Sequence, residues 1–183
     1  MSPDGAVIMS IFAAVWWLVG TKVSGHGSVL MYGIPILMTS LVLLVALRLR
    51  SVNLASPEEN ARRGRLVGIA SGAEGLLIFL AVNILANTGT REFTAPVISI
   101  IVGLHFIPLA KWLPAQLYYA SAALLVAAGV AGFWVHDEHI RTFYVSVVAA
   151  CILWLTSVIV LRNARDLVVA PNSTGHREST EGA

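Results

Sequence analysis

Charged residues and cysteines are scarce in this sequence of 183 residues. Only 12% of the residues are charged, whereas 57% are hydrophobic, and soluble globular proteins have about 25% charged residues. The net charge is only +2, and the basic residues are not gathered on one face, so a nucleic-acid partner has no support. The single cysteine, Cys151, excludes an intramolecular disulfide. This composition indicates a membrane protein and leaves no room for a soluble domain.

Six apolar runs are each about as long as a membrane-spanning helix. A hydrocarbon core about 30 Å thick needs about 20 helical residues, and the runs are too long and too uniformly apolar to be barrel strands. We therefore predict an all-α integral membrane protein with six transmembrane helices and short loops. The predicted spans are residues 5–21, 28–48, 65–86, 94–112, 115–135 and 142–162. They form one transmembrane domain over residues 1–165, followed by a disordered polar tail over residues 166–183.

The first apolar run differs from a cleaved signal peptide. No lysine or arginine precedes it, and no small-residue cleavage site follows it. We expect it to be a retained span.

The lysines and arginines predict how the chain is oriented. Cytoplasmic loops of membrane proteins carry an excess of basic residues. One side would carry nine of them, namely Arg48, Arg50, Arg62, Arg63, Arg65, Lys111, Arg162, Arg165 and Arg177. The other side would carry three, namely Lys22, Arg91 and Arg141. We expect a multi-pass protein of the cell membrane, in contact with the lipid bilayer, with both termini in the cytoplasm.

One acidic residue, Glu74, lies inside a predicted span. It is about 13 Å from the cytoplasmic end of helix three, and His105 on helix four is about 9 Å from the same face. An ionised carboxylate at that depth costs at least a few kcal/mol unless it has a partner. Because helices joined by a short connection are usually neighbours, we predict a buried pair between Glu74 and His105.

Four further residues are predicted to support this site. Pro108 leaves the carbonyl of Leu104 without its usual helical donor, and Pro35 in helix two has the same effect on Met31. Kinked helices at membrane depth line cavities or pack against protein. Together with the polar residues Ser71 and Thr39, the two prolines are candidates to line a path for a substrate or proton.

The paired residues are compatible with two classes of function. In the first, the chain is a small carrier or channel in which the Glu74–His105 pair titrates. In the second, it is a structural or regulatory membrane subunit, and the pair holds helices together with about 0.6 to 2 kcal/mol. A homo-oligomer or a membrane partner is compatible with either class.

Few residues point to an enzyme or a cofactor. The sequence has no HExxH motif, no glycine-rich phosphate loop and no buried nucleophile beside a base. A pair of haem-ligating histidines is also missing, because only His105 lies deep in a span. We therefore favour a protein that is not an enzyme and predict no cofactor.

The segment His136-Asp137-Glu138-His139 between the last two spans is the one candidate for a metal site. His136 and His139, together with the two carboxylates, could bind a divalent cation at the outer surface. A solvated turn explains the same residues, with Asp137 capping the last helix. The sequence predicts the turn.

Small residues four apart indicate close packing of two helices. Helix three carries two overlapping pairs, Gly68 with Gly72 and Ser71 with Gly75. Helix five carries Ala123, Ala127 and Ala131, and also Ala128 and Gly132. Such patterns allow backbones to approach each other, so we expect helices three and five to pack together.

Overall fold

The computed structural model describes residues 3–23, 25, 28–50, 57–112 and 116–169. These residues form six α-helices and one 3₁₀ turn, and they include no strand. The helices are α1 (Pro3–Val23), α2 (Val29–Arg50), α3 (Pro57–Asn87), α4 (Thr94–Trp112), α5 (Gln116–Gly132) and α6 (Glu138–Val169), and the 3₁₀ turn is Arg91–Phe93. The all-helical prediction is therefore confirmed.

Five of the six helices are long and apolar enough to cross a membrane, as the sequence predicts. The exception is α5, which has 17 residues and is shorter than the roughly 20 that a hydrocarbon core of about 30 Å requires. The longest helices are α3 with 31 residues and α6 with 32. Both exceed the thickness of a hydrocarbon core at about 1.5 Å per residue.

Helix α6 is the centre of the bundle. It packs against α1, α2, α4 and α5, most extensively against α1, and 61% of its apolar span is buried. Helix α3 is at the edge, where it packs against α4 and the 3₁₀ turn, and only 6% of its span is buried. Since α3 has so little burial, its single helical neighbour determines where it lies.

Helices α4 and α5 pack backbone to backbone. A Cβ atom added at Gly129 would lie 2.6 Å from the carbonyl oxygen of Pro96, and one at Gly103 would lie 2.9 Å from that of Ala122. Ser99 on α4 donates a hydrogen bond to the carbonyl of Leu125 at 2.9 Å. Only glycine permits these approaches.

The predicted packing of helix three on helix five is wrong. Added Cβ atoms at Gly68, Gly72 and Gly75 would meet nothing within 4 Å in the described part of the chain. Helix α5 does pack closely, but its partner is α4, and the contact uses Gly129 and Gly132 rather than the exposed Ala123. The motif indicates that a close approach is possible without identifying the partner helix.

Three helix ends can be compared with the sequence. Helix α3 begins at Pro57, eight residues before the predicted span of residues 65–86. Helix α6 continues to Val169, so the first four residues of the expected tail are helical, and the rest of that tail lies outside the described residues. At the other end of α6, Asp137 accepts a hydrogen bond from the Ile140 amide at 2.9 Å, which confirms the predicted cap.

Candidate functional site

The face of α3 that contacts α4 is a narrow stripe. Ala70 is buried, and Glu74 and Ile78 are half-buried, whereas most of the helix is exposed. These three residues are four apart, so they lie above one another on one side of the helix. Glu74 therefore points along the only well-covered side of α3.

Glu74 and His105 face each other across the α3–α4 contact. The Oε2 atom of Glu74 lies 3.6 Å from Nε2 of His105, and the side chains are 14% and 10% exposed. The structure brings the two residues together as the sequence predicts. A separation of 3.6 Å is within ion-pair distance but longer than an ordinary hydrogen bond, so the contact is electrostatic with room for a shift of either side chain.

The imidazole has two further neighbours. It lies close to the backbone of Ala70, one turn before Glu74 on α3. The ring also lies edge-on to Phe106, with ring centroids 6.0 Å apart, and Phe106 packs in turn on the buried Tyr118 of α5. The imidazole therefore lies between the backbone of α3 and the aromatic ring of Phe106.

The surroundings of the pair are otherwise apolar. One turn before and after, the same helix faces carry Ala70 and Ile78 on α3 and Ile101 and Leu109 on α4. In such a setting charges interact more strongly than in water, and an unpaired charge is costly. A carboxylate and an imidazole placed together can hold one proton between them, as a charged pair or as two neutral groups.

Two of the predicted supporting residues lie close to the pair along the chain. Ser71 precedes Glu74 by three residues on α3, but it is exposed. Pro108 follows His105 by three residues on α4 and is half-buried. Both are on the correct helices, and Ser71 lies toward the uncovered side of the stripe.

The other two, Pro35 and Thr39, lie elsewhere in the bundle. They belong to α2, which packs on α1 and α6 and has no extensive contact with α3 or α4 among the described residues. Thr39 Oγ1 donates to the carbonyl of Ser10 at 3.3 Å. Their positions on α2 place them outside a site at the α3–α4 contact, so the prediction that they support it fails.

Trp17 is a residue whose role the sequence analysis missed. Its Nε1 donates a hydrogen bond of 2.8 Å to the carbonyl of Met31, the same carbonyl that Pro35 deprives of its helical donor. Pro35 was the signal in the sequence, because a carbonyl that loses its helical donor in an apolar helix needs another donor. The sequence did not identify which donor would reach it. Pro35 therefore serves the α1–α2 contact.

The histidine cluster at residues 136–139 has no metal-binding arrangement in the described ranges. His136 and His139 are exposed, and no group of three or more His, Cys, Asp or Glu residues there is placed to hold a metal ion. Asp137 is already engaged as the cap of α6. These exposed residues form the end of the α5–α6 connection and the first residues of α6.

Compared with known proteins, the chain matches no family model, no curated protein and no solved structure. The function is therefore argued from the site alone.

Proposed function

We propose that the chain is a multi-pass membrane protein that works as a small carrier or channel, with the Glu74–His105 pair as its proton-titrating site. The single observation that supports this function is the 3.6 Å contact between two ionisable side chains that are largely covered. Ionisable residues on apolar helices are costly in lipid and typically mark ion paths or proton relays. The pair has both a group that binds a proton and a partner that can take it.

Membrane insertion is supported by the surface of the helices. Large apolar side chains are exposed on α2 and α3, among them Leu37 at 65%, Leu44 at 61% and Phe79 at 63% exposure. Apolar patches of this extent are unfavourable in water but match the lipid interior. We place all six helices in the cell membrane, with α5 as a short span.

The orientation rests on the basic residues. Arg48, Arg65, Lys111 and Arg162 lie on four different helices and are all exposed. In the proposed topology, each lies toward the cytoplasmic end of its helix, as the positive-inside rule requires. Both termini are then cytoplasmic.

A second candidate function is that of a structural or regulatory subunit. The observation that favours it is the position of α3, which is held at the edge of the bundle through α4 and the 3₁₀ turn. In that role the pair attaches α3 to the bundle, as polar contacts between membrane helices do with about 0.6 to 2 kcal/mol. A membrane partner then binds the assembled bundle.

Proton flux into proteoliposomes separates the two candidates. We expect wild-type protein to acidify or alkalinise the lumen under an imposed gradient and Glu74→Gln to lose most of that flux, because Glu74 is the one acidic residue inside a span. Glu58→Gln is the matched control, since Glu58 is an exposed residue near the start of the same helix. It should transport like the wild type.

A thermal melt in detergent accompanies each flux measurement. Flux lost in Glu74→Gln while the melting temperature stays within a few degrees supports the carrier or channel. Wild-type flux in Glu74→Gln would contradict it. No flux in any variant, together with a lower melting temperature for Glu74→Gln and His105→Ala, would favour the subunit.

A further inference from the structure

Arg141, which the sequence supplies only as a basic residue at a helix end, is almost completely buried. It lies in the first turn of α6 and is 4% exposed. Its guanidinium donates three hydrogen bonds to main-chain carbonyls: Nε to Val135 at 2.8 Å, Nη2 to His136 at 3.3 Å and Nη1 to Glu92 at 3.2 Å. A buried arginine held by carbonyl oxygens is tied to backbone positions rather than to another side chain.

An aromatic surface completes the arginine site. The guanidinium carbon lies 4.4 Å from the ring centroid of Phe93, and Phe93 stacks on Phe133 with centroids 5.3 Å apart. A guanidinium over an aromatic face gains a cation–π attraction that is larger when the groups are desolvated. The planar group is therefore fixed on its edge by carbonyls and on its face by a ring.

The three carbonyls belong to two separate connections. Val135 and His136 lie between α5 and α6, whereas Glu92 and Phe93 lie in the 3₁₀ turn between α3 and α4. The start of α4 is already fixed, because Pro96 packs against Gly129 and Gly132 of α5. The 3₁₀ turn meets the α5–α6 connection through Arg141 and through the stack of Phe93 on Phe133. Among the described residues, α3 contacts only α4 and this turn extensively.

We infer that Arg141 is a latch that holds the 3₁₀ turn, and with it the end of α3, against the α5–α6 connection. The three hydrogen bonds and the cation–π contact all involve one rigid guanidinium, so they form or break together, and the stack of Phe93 on Phe133 lies beside them. Bistable contacts of this kind convert small displacements into discrete movements of an element. The latched state is the one described above, and release frees the α3 end while α4 stays packed on α5. The latch lies at the outer end of the bundle in the proposed topology and does not depend on proton transport.

The latch is tested by the distance between the two connections. Spin labels on Asn87→Cys, at the end of α3, and His139→Cys, in the first turn of α6, report that distance in a Cys151→Ala background. Both labelled positions are exposed. We expect one narrow distance distribution with Arg141 present and a broader or longer one in Arg141→Gln. Arg141→Lys should also broaden it, because an ammonium lacks the planar fork that addresses three fixed carbonyls.

Arg91→Gln is the matched control, since Arg91 is an exposed arginine in the same 3₁₀ turn. It should leave the distance unchanged. Raising the salt to about 1 M, where the Debye length is about 3 Å, should also leave it unchanged, because the contacts are buried. A folded Arg141→Gln protein with the wild-type distance, or opening by salt alone, would overturn the latch.

A second variant covers the case in which Arg141→Gln does not fold. Phe93→Leu keeps the guanidinium and its hydrogen bonds but removes the ring beneath it, together with the stack of that ring on Phe133. Amide hydrogen exchange across residues 88–94 should then accelerate several-fold, while exchange in α4 beyond Pro96 should not change. Unaltered exchange in the 3₁₀ turn of this variant would contradict the proposed latch.

Discussion

Several polar atoms inside the apolar helices have individual hydrogen-bond partners. Ser121 and Thr156 share a hydrogen bond of 2.7 Å between α5 and α6, and Ser157 donates to the carbonyl of Leu153 in its own helix at 2.8 Å. The Met31 carbonyl receives the indole of Trp17. A polar group left without a partner in such surroundings costs about 1 to 3 kcal/mol of stability. Breaking one of these hydrogen bonds therefore costs more than the net stabilisation that the bond provides.

Trp17→Phe should therefore destabilise the protein by about 1 to 3 kcal/mol, since the Met31 carbonyl would lose its donor. The matched control is Trp154→Phe. Trp154 is buried, and its Nε1 has no hydrogen-bond partner among the described residues. Its replacement removes the same part of the ring without breaking a bond. Thermal unfolding in detergent should show the larger loss for Trp17→Phe, and equal losses would argue against a role for the Met31 bond.

At the scale of helices, the glycines divide into two groups. Gly103 on α4 and Gly129 on α5 face a neighbouring backbone, whereas Gly68, Gly72 and Gly75 on α3 face open space in the described structure. A glycine inside a helix costs about 1 kcal/mol relative to alanine unless it permits a contact. Glycine thus permits a close helix contact on α4 and α5, but on α3 it permits no such contact among the described residues.

Gly129→Ala should destabilise the bundle by about 1 to 3 kcal/mol, because the new methyl group would overlap the carbonyl of Pro96. Gly72→Ala should be neutral or stabilising by up to about 1 kcal/mol. Thermal melts of the two variants against wild type make the comparison. A loss at Gly72 as large as that at Gly129 would indicate that the glycine face of α3 is covered in the folded protein.

At the scale of the whole molecule, the helices are unevenly covered. Helix α6 is surrounded by four neighbours, while α2 and α3 present most of their surface to the outside. In a membrane the two outer helices would meet lipid along most of their length. The proposed orientation then places Thr88, in the connection after α3, on the outside of the cell and Arg165, near the end of α6, in the cytoplasm.

Single cysteines at these two positions test the orientation in a Cys151→Ala background. A membrane-impermeant thiol reagent should label Thr88→Cys in intact cells and should label Arg165→Cys only after the membrane is opened. Both positions are exposed, so burial cannot explain a negative result. The opposite labelling pattern would reverse the proposed topology.

The sequence predicted features that depend on length, depth and helical geometry. The helices follow from apolar runs of sufficient length, and the contact between Glu74 and His105 follows from similar depths on consecutive helices. The sequence could not choose among helices of similar character. Small residues on α3 resembled those on α5, yet the close approach is between α4 and α5, because complementarity of two particular surfaces decides it.

The sequence also could not predict the roles of residues that bind backbone atoms far away in the chain. Arg141 is held by hydrogen bonds to carbonyls in two connections, and one of these carbonyls, that of Glu92, is 49 positions earlier in the chain. Nothing in the local sequence around residue 141 indicates which carbonyls are free. The prediction that Pro35 and Thr39 support the Glu74–His105 site failed for a related reason, because their helix packs on α1 and α6 rather than beside that pair.

The central position of α6 has a consequence for biosynthesis. The ribosome delivers α1 first and α6 last, and chains are assembled as they emerge, yet α1 packs most extensively against α6. In the nascent chain, α1 therefore has no contact with α6 until more than a hundred further residues have been synthesised. A stop codon before α6 would leave four helices without their shared neighbour, so such truncated products should be recognised and degraded by quality-control proteases.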